Sequence, residues 1–303
     1  MPELSVVIPS LRPGRPLDRV LERLAQGDTA ARIEIIVALD RLAPEYASPG
    51  PATLTRGDRS GASAARNAGW RAANAPLVLF LDDDVLPGER LIAEHLAWHR
   101  RHPEPRVAVL GHVRWAGELR PTPLMEWLDE GVQFDYGAVD GTEAKWWQLY
   151  SANVSLKREL LERAGGFDAE RFPFGYEDLD LGRRLSDLGL RLLYNAPATA
   201  EHLSAPSLDE WRGRVRRIAA AERAFVTRYP ELPPYFHNRF ARELPGLRGR
   251  GLSARLQPLL PRGLPWVGAR AWASARERAA RELGAAFLDA WEDLAAAHPS
   301  SSR

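Results

Sequence analysis

The 303-residue sequence contains no cysteine. This absence excludes disulfide bonds, thiolate metal sites and cysteine nucleophiles. Any metal ion must therefore be bound by oxygen or imidazole ligands. The lack of cysteine is also compatible with a cytoplasmic protein.

Long apolar runs are absent too, and none approaches the ~20 residues that a membrane-spanning helix needs. The segment from Met1 to Pro9 lacks the basic stretch and following apolar stretch of a secretory signal. The sequence thus predicts neither export nor membrane spanning, and we expect a cytoplasmic location.

The composition is that of a globular protein, with 45% hydrophobic and 27% charged residues. The length allows one large domain, or a large domain with a smaller appendage. A net charge of +1 conceals an asymmetry, because residues 205–303 hold 17 Arg against 10 acidic residues. These arginines are interleaved with acids and no recognition module is present, so we expect no nucleic-acid partner.

Short apolar strands alternate with helical patterns in the first 100 residues. Apolar runs at 4–8, 33–39 and 77–81 predict strands, and 52–55 adds a weaker one. Residues 17–25 and 63–73 have helical spacing. Strands that are apolar on both faces and alternate with helices indicate a parallel sheet covered on both sides, an open α/β unit.

The pattern becomes less regular further along. Strands are predicted at 107–113, 150–156 and 190–194, helices at 158–164 and 176–188, and an irregular stretch at 121–145. Beyond Pro206 the chain becomes rich in Arg and Ala, which predicts a helical appendage over 206–303. Residues 269–298 have one apolar face, which suits packing on the body or on a second subunit, or a helix lying on a membrane surface.

Polar residues follow the predicted strands of the open α/β unit. Pro9, Asp40 and the triplet Asp82 to Asp84 stand at strand ends, which form the edge where such sheets bind ligands. On an extended segment Asp82 and Asp84 would point to the same side and share one divalent cation, Mg²⁺ or Mn²⁺, accompanied by a diphosphate. The alternative is a solvated acidic turn.

A second acidic group lies at residues 175–180, where Glu177 and Asp178 open a predicted helix. Such carboxylates often only cap a helix. Phe172, Phe174 and Tyr176 would reduce the access of water and raise the pKa of Asp178, as suits a general base.

Two weaker signals complete the set. The small-residue turn at 61–69 opens a helix, and its free amides could receive a phosphate or could merely form a turn. His202 could complete a carboxylate metal site or could be an ordinary core histidine.

In this order the motifs resemble those of family 2 glycosyltransferases with the GT-A fold, over residues 3–205. The residues that carry the resemblance are Ser5 to Pro9, Ile33 to Asp40, Gly61 to Asn67, Phe80 to Asp84, Ser151 to Asn153, Gly165 to Asp168, Tyr176 to Leu181, Arg184 and Leu185. The resemblance implies a mixed sheet flanked by helices, with a nucleotide-binding half at 1–100 and an acceptor-binding half at 101–205.

The resemblance also implies an activity, the transfer of a sugar from a nucleoside diphosphate sugar with inversion at the anomeric carbon. Asp178 matches the base that takes the proton of an acceptor hydroxyl, and Glu177 would orient the acceptor or the loop. Asp82 would lie near the ribose or the metal, Asp84 would bind the metal, and His202 matches a third metal ligand.

Other positions match less closely. Pro9, Asp40, Arg66 and Asp83 are expected beside the nucleotide, although Leu39 replaces a carboxylate common in the family. The acceptor, a glycan, a lipid-linked sugar or a small molecule, would contact Trp146, Trp147 and Asn153. Trp146 and Trp147 could equally be a structural pair.

Three alternatives stay open: a retaining transferase of the same fold, a sugar nucleotidyltransferase, and a non-catalytic sugar-binding scaffold. The phosphate loop expected of a nucleotidyltransferase is poorly matched by residues 7–14. The basic C-terminal helices could contact a membrane surface or a second subunit.

Overall fold

The computed structural model describes residues 1–27, 30–248 and 265–297. Within these ranges the chain forms two compact units. We call them the sheet unit, Met1–Leu119 with Phe134–Ser204, and the helical unit, Arg120–Gln133 with the described residues from Ala205 onward.

The sheet unit contains one mixed sheet with the strand order β3-β2-β1-β4-β8-β6-β9-β5, and β7 pairs with β9. The strands are β1 Leu4–Ser10, β2 Ile33–Leu39, β3 Thr53–Arg56, β4 Leu77–Leu81, β5 Val85–Pro87, β6 Val107–Trp115, β7 Glu143–Ala144, β8 Asn153–Lys157 and β9 Arg191–His202. Strands β1 to β4 are mutually parallel, which confirms the prediction for the first 100 residues.

Strand β8 reverses the direction of the sheet. It runs antiparallel to both β4 and β6, while β6 and β9 are parallel to each other. The sheet is therefore mixed, as the resemblance implied.

Helices cover both faces of this sheet. They are α1 Arg15–Gln26, α2 Ala62–Ala72, α3 Leu91–Arg101, α5 Arg158–Ala164 and α6 Glu177–Asp187. One hydrophobic cluster contains the buried face of α1, and the other contains Trp70 of α2 and Leu181 and Leu185 of α6. The apolar side chains of the strands alternate between these two clusters, as their two-residue period requires.

Three elements of the sheet unit, helix α3 and the short strands β5 and β7, were not predicted from sequence. Helix α3 was missed because two of its buried positions are His95 and His99, which do not add to an apolar pattern. Strand β5 is too short to stand out. Strand β8 begins three residues later than predicted, and β9 extends eight residues further.

The extra length of β9 accompanies a shift of register against β6. Gly111 pairs with Asn195, and the next residue, His112, pairs with Thr199. A Cβ atom at Gly111 would lie 2.2 Å from the Asn153 amide nitrogen and 2.5 Å from the Ala198 carbonyl oxygen. Only glycine leaves room for this close approach.

The helical unit consists of α4 Pro123–Leu128, α7 Leu208–Arg228, α8 Tyr235–Arg248 and α9 Pro265–Ala297. Helix α4 lies where an irregular stretch was predicted. Helix α9 packs against the other three, and its Leu283 and Phe287 are fully buried. The predicted apolar face of α9 thus packs within this unit. No described helix has the length and apolar character needed to span a membrane.

A buried carboxylate joins two of these helices. Glu222 of α7 accepts hydrogen bonds from the Phe236 amide (2.7 Å) and the His237 amide (2.9 Å). These amides belong to the first turn of α8 and have no partner within their own helix. Glu222 therefore caps α8 from a neighbouring helix.

Candidate active site

The aspartate triplet follows β4 as a turn rather than an extended segment. The Val85 amide donates to the Asp82 carbonyl oxygen (3.1 Å), and β5 starts at once. As a result the three carboxylates face different partners. The triplet is therefore a turn and not the extended segment that was expected, and a ligand system shared by Asp82 and Asp84 stays a prediction.

Asp82 is ion-paired with Arg66 of α2, with 2.9 Å between Nη2 and Oδ1. The other arm of the same guanidinium is 3.0 Å from Oε1 of Glu177, at the start of α6. Arg66 is only 5% exposed. One buried cation therefore links the turn after β4 to the helix that carries Asp178.

Asp83 accepts a hydrogen bond of 2.5 Å from the Ser10 hydroxyl, at the end of β1. Removal from water raises the pKa of Asp83 to about 7, although the Ser10 hydrogen bond opposes this change. The contact ties the triplet to β1, the strand that also contains Pro9.

Asp84 lies beside His202 at the end of β9, with 3.7 Å between Oδ2 and Nε2. The Trp115 ring packs edge-on against the His202 imidazole, 5.2 Å between centroids. In the described part of the chain no group of three or more acidic or histidine side chains is arranged to hold a metal ion. Asp84 and His202 thus converge as a pair, and Asp82 is directed to Arg66.

That pair fits a divalent cation. A carboxylate oxygen and an imidazole nitrogen form a donor set that Mn²⁺ accepts, and a diphosphate and water can complete the shell. The Nδ1 atom of His202 is buried with no hydrogen-bond partner among the described residues.

Asp178 is held by the chain just before β8. Its Oδ2 accepts a hydrogen bond from the Ser151 amide (3.0 Å), and its Oδ1 is buried with no hydrogen-bond partner among the described residues. Burial raises the pKa of Asp178 to about 7, the charge of Glu177 adds to this rise, and Arg66 opposes it. The predicted upward shift is confirmed.

The backbone before Asp178 has an unusual conformation. Tyr176, the residue that precedes α6, has φ 61°, and it is the only non-glycine residue with positive φ among those described. Such a conformation is costly for a large side chain and is often found at functional sites. Phe172 and Tyr176 are buried nearby, as the sequence indicated.

Helix α2 holds the loop that leads to Asp178. Asn67 donates to the Phe167 carbonyl oxygen (2.8 Å) and accepts from the Phe167 amide (2.9 Å). The Ser63 hydroxyl donates to the Phe172 carbonyl oxygen, and the Ser63 amide to that of Pro173 (3.4 Å). The helix start at 61–69, considered for phosphate binding, instead contacts this loop.

The Asp40 carboxylate is buried and hydrogen-bonded to groups of the protein. It accepts from the Leu42 amide (2.7 Å), the Ser60 hydroxyl (2.9 Å) and the Gly61 amide (2.5 Å), and it is 3% exposed. These contacts place the start of α2 beside the end of β2. A nucleotide contact by Asp40 stays a prediction.

The three expected acceptor residues lie in different environments. Trp147 is 47% exposed and meets the ring of Trp146 edge-on. Asn153 is fully buried, and its amide group contacts the His95 imidazole (3.0 Å) and the Ala198 carbonyl oxygen (2.9 Å). Because its side chain is used inside the core, we do not propose Asn153 as an acceptor-binding residue.

A chain of buried hydrogen bonds beside Asn153 was missed by sequence reasoning. Lys157 Nζ contacts His99 Nδ1 (2.7 Å), and His99 Nε2 and His95 Nδ1 both contact the Ser155 hydroxyl (2.8 and 2.7 Å). Burial lowers the pKa of His95 to about 4, so its imidazole is neutral at pH 7. Two histidines spaced by four on a helix whose other buried positions are apolar were the available signal.

An aromatic group was missed as well. Tyr136 contacts the rings of His112, Phe134, Tyr150 and Tyr194, with centroid distances of 4.6 to 5.7 Å. Its hydroxyl accepts from the Val113 amide (3.2 Å). Phe134 and Tyr136 are close in sequence, but His112, Tyr150 and Tyr194 are distant from them, and only the fold assembles the group.

Known proteins resemble this chain in sequence. It is 29% identical over 273 residues to validoxylamine A glucosyltransferase of Streptomyces hygroscopicus subsp. jinggangensis, covering 77% of this chain and 63% of that protein. It is 29% identical over 174 residues to pre-mycofactocin glycosyltransferase of Mycobacterium tuberculosis, covering 56% of this chain and 36% of that protein. The chain therefore spans less than two thirds of the length of these relatives.

The fold resembles that of GalNAc-T7, whose crystal structure contains UDP, GalNAc and Mn²⁺. The TM-score is 0.51 at 15% identity, over 67% of this chain and 43% of that one. At this identity the likeness concerns the fold, which is GT-A. The model of the family described as "Glycosyltransferase like family 2" matches residues 2–221. The chain belongs to the family 2 glycosyltransferases.

Proposed function

We propose that this protein is a metal-dependent inverting glycosyltransferase that moves a sugar from a nucleoside diphosphate sugar to an acceptor hydroxyl. The observation that carries the proposal is the placement of Asp178 in the first turn of α6, with one carboxylate oxygen bonded to the Ser151 amide and the other buried without a hydrogen-bond partner among the described residues. Burial in this place raises the pKa of Asp178 to about 7. A carboxylate with this pKa can accept a proton near neutral pH. Family membership supplies the reaction class.

In the proposed reaction Asp178 removes the proton of the acceptor hydroxyl as that oxygen attacks the anomeric carbon. The bond between this carbon and the diphosphate oxygen breaks, and the diphosphate leaves with the electron pair. The Ser151 amide holds the carboxylate in place, and Glu177 is oriented by Arg66. Attack opposite the leaving group inverts the anomeric centre.

Asp84 and His202 are the residues that would hold a divalent cation, Mn²⁺ or Mg²⁺. When bound, the cation stabilises the charge that develops on the departing diphosphate. Asp83, tied to Ser10, would maintain the turn that presents Asp84. Pro9 lies in β1, beside this turn, at the edge where the nucleotide is expected.

The relatives suggest probes for donor and acceptor. One is named validoxylamine A glucosyltransferase, so we propose glucose as the first sugar to test and validoxylamine A as the first acceptor. UDP, found in the GalNAc-T7 structure, is the first nucleotide to test. Trp146 and Trp147 stay proposed acceptor contacts, since a sugar ring can stack on an exposed indole.

A thermal-shift panel tests the proposal. UDP, GDP, dTDP and CMP are each added with Mn²⁺, Mg²⁺ or a chelator, because a ligand that binds the native state raises its melting temperature. At a nucleotide concentration of ~100 Kd the stabilisation is about 2.7 kcal/mol. We expect one diphosphate to stabilise the protein in a metal-dependent way.

Asp84→Asn is the matched variant for this panel. It should lose the metal-dependent part of the shift, while Asp187→Asn, on the exposed end of α6, should keep it. No shift with any nucleotide would contradict the donor assignment and favour a non-catalytic scaffold. A product that retains the anomeric configuration, read by NMR, would exclude Asp178 as the base of an inverting transfer.

A further inference from the structure

Arg66 is the residue that connects the two halves of the proposed reaction. One arm of its guanidinium contacts Asp82 in the turn after β4, and the other contacts Glu177, next to Asp178. The Arg66 side chain is 6% exposed and the Glu177 side chain 10% exposed. Water therefore screens this ion pair weakly.

The position of Arg66 in α2 strengthens its effect. On either side, Ser63 and Asn67 are bonded to backbone atoms of the loop at 167–173. These contacts hold the loop but do not reach the triplet. Among the described ion pairs, those of Arg66 alone join the triplet to α6.

Arginine suits this task better than lysine. Its planar guanidinium presents separate N–H groups to two carboxylates at fixed angles, whereas an ammonium group is a single point of charge. Replacing Arg66 would leave two carboxylates without their common cation. Asp82 is 31% exposed, but Glu177 is buried, and a buried charge without a partner is costly, so we expect the start of α6 and the loop before it to rearrange.

Resting on the proposed function, we propose that Arg66 is a positioning residue which couples the conformation of the Asp82 turn to that of the loop and helix start that carry Asp178. A conformational change of the Asp82 turn, on the donor side, thereby changes the position of Asp178, the proposed base. Arg66 is not expected to act on the substrate directly in this proposal.

Four groups determine the electrostatic environment of Asp178. Glu177 neighbours it on α6, Arg66 faces it from α2, and the Ser151 amide contacts it from the chain before β8. Asp82 lies on the far side of Arg66. Removing the Arg66 charge leaves the repulsion by Glu177 unopposed, which would raise the pKa of Asp178 further.

Hydrogen exchange of the full chain without nucleotide tests the coupling. In Arg66→Met we expect the amides of residues 165–180 to exchange at least about tenfold faster than in the parent protein. Asp82→Asn, a change in a different element, should accelerate the same amides. In the double variant the Asp82 change should add nothing, because its effect passes through Arg66.

Two matched controls separate coupling from general destabilisation. Asp84 belongs to the same turn but contacts His202, so Asp84→Asn should leave the exchange rates of the amides of residues 165–180 unchanged. Arg184→Met removes another ion pair of α6, with buried Asp180, and in this background Asp82→Asn should still accelerate the amides of residues 165–180, because the Arg66 contacts remain. If Arg66→Met does not fold, Arg66→Lys replaces it in the exchange measurement. Lysine keeps the charge but lacks the planar guanidinium that contacts both carboxylates.

The coupling is overturned if Asp82→Asn leaves residues 165–180 unaffected, or if Asp84→Asn accelerates them equally. It is also overturned if the effects of Arg66→Met and Asp82→Asn simply add. A second readout is the pH profile of the rate of UDP release from UDP-glucose. The acidic limb of this profile should move to higher pH in Arg66→Met, because the pKa of Asp178 rises. In Arg66→Lys, which keeps the charge, the limb should return to its original position. A merely structural loss would lower the rate without moving that limb.

The failure of this inference is distinguishable from that of the proposed function. The exchange measurements use no nucleotide and no acceptor. A protein that binds none of the four nucleotides contradicts the donor assignment, and the exchange data still decide whether Arg66 joins the two elements.

Discussion

The two units of the molecule differ in what they bury. Among the described side chains, fifteen of the sixteen buried polar or charged ones lie in the sheet unit, and Glu222 is the one in the helical unit. Burying polar groups is unfavourable unless they are paired. The sheet unit accepts this cost both around its candidate site and in the buried network of His95, His99 and Ser155, whereas the buried side chains of the helical unit are mainly aromatic and aliphatic.

The buried polar groups themselves serve different purposes. In the sheet unit they connect separate elements around Asp178 and the triplet, as Arg66 and Asn67 do. In the helical unit Glu222 caps a helix. A polar group buried near a site is therefore a sign of positioning, while one buried elsewhere supports the fold, and the following predictions test that distinction.

Asp178→Asn should have the largest effect, on activity and not on stability. Loss of the proposed base should reduce transfer by about 10²–10⁴-fold. Because burial disfavours the charged carboxylate, the neutral amide should leave the melting temperature unchanged or higher. Rates with UDP-glucose and the thermal shift with UDP are the measurements, and loss of UDP binding would contradict the separation of roles.

In the parent protein the transfer rate should fall as the pH drops below about 7. The reason is that the Asp178 pKa is raised to about 7, so protonation removes the base within the neutral range. The pH profile of kcat/KM measures this. A profile that stays flat down to pH 5 would exclude Asp178 as the titrating base.

Phe287→Ala should have the largest effect on stability in the helical unit. The ring is fully buried and contacts Phe240 at 5.2 Å, so truncation leaves a cavity that costs about 3–5 kcal/mol. Urea unfolding measures the change. Trp272→Ala, at a position that is 38% exposed on the same helix, should cost much less.

Glu222→Ala should lower the free energy of unfolding by about 2–3 kcal/mol, because two amides of α8 lose a charged acceptor. Glu222→Gln keeps one acceptor oxygen and should cost less. The exposed Glu243→Ala serves as the control. Equal losses at Glu222 and Glu243 would show that the cap contributes nothing beyond a surface ion pair.

An effect similar in size to that of Glu222→Ala, but spread over several pH units, is expected from pH in the sheet unit. His95 is neutral in the native state down to about pH 4, while in the unfolded chain it binds a proton below about pH 6.5. This histidine should therefore lower the free energy of unfolding by about 1.4 kcal/mol for each unit by which the pH falls from about 6.5 to about 4. Urea midpoints at pH 7, 6 and 5 test it, and His95→Asn should flatten the slope.

Much of the site was predictable from local sequence. The order of motifs indicated the family, and the aromatic residues before Asp178 predicted its raised pKa. Asp84 and His202 were expected to be metal ligands, and the structure places their side chains 3.7 Å apart, while metal binding by them stays a prediction. The family and the pKa shift were predictable because a residue type and its immediate neighbours determine them.

Other predictions depended on contacts that local patterns cannot specify. Arg66 was expected beside the nucleotide, which stays a prediction, and its bridge from Asp82 to Glu177 was not foreseen. Asn153 was expected to contact the acceptor and lies in the core with His95. In each case the partner is distant in sequence, and its identity follows from which elements pack together.

The sequence by itself determined the alternation of strands and helices, the family, and the set of carboxylates near the ligand edge of the sheet. These follow from apolar periodicity and residue chemistry, which act over a few neighbouring positions. The tertiary structure alone decided how the three aspartates divide among Arg66, Ser10 and His202. That division depends on a turn and on strands that meet only after the sheet forms, because buried polar groups must find partners wherever the fold supplies them.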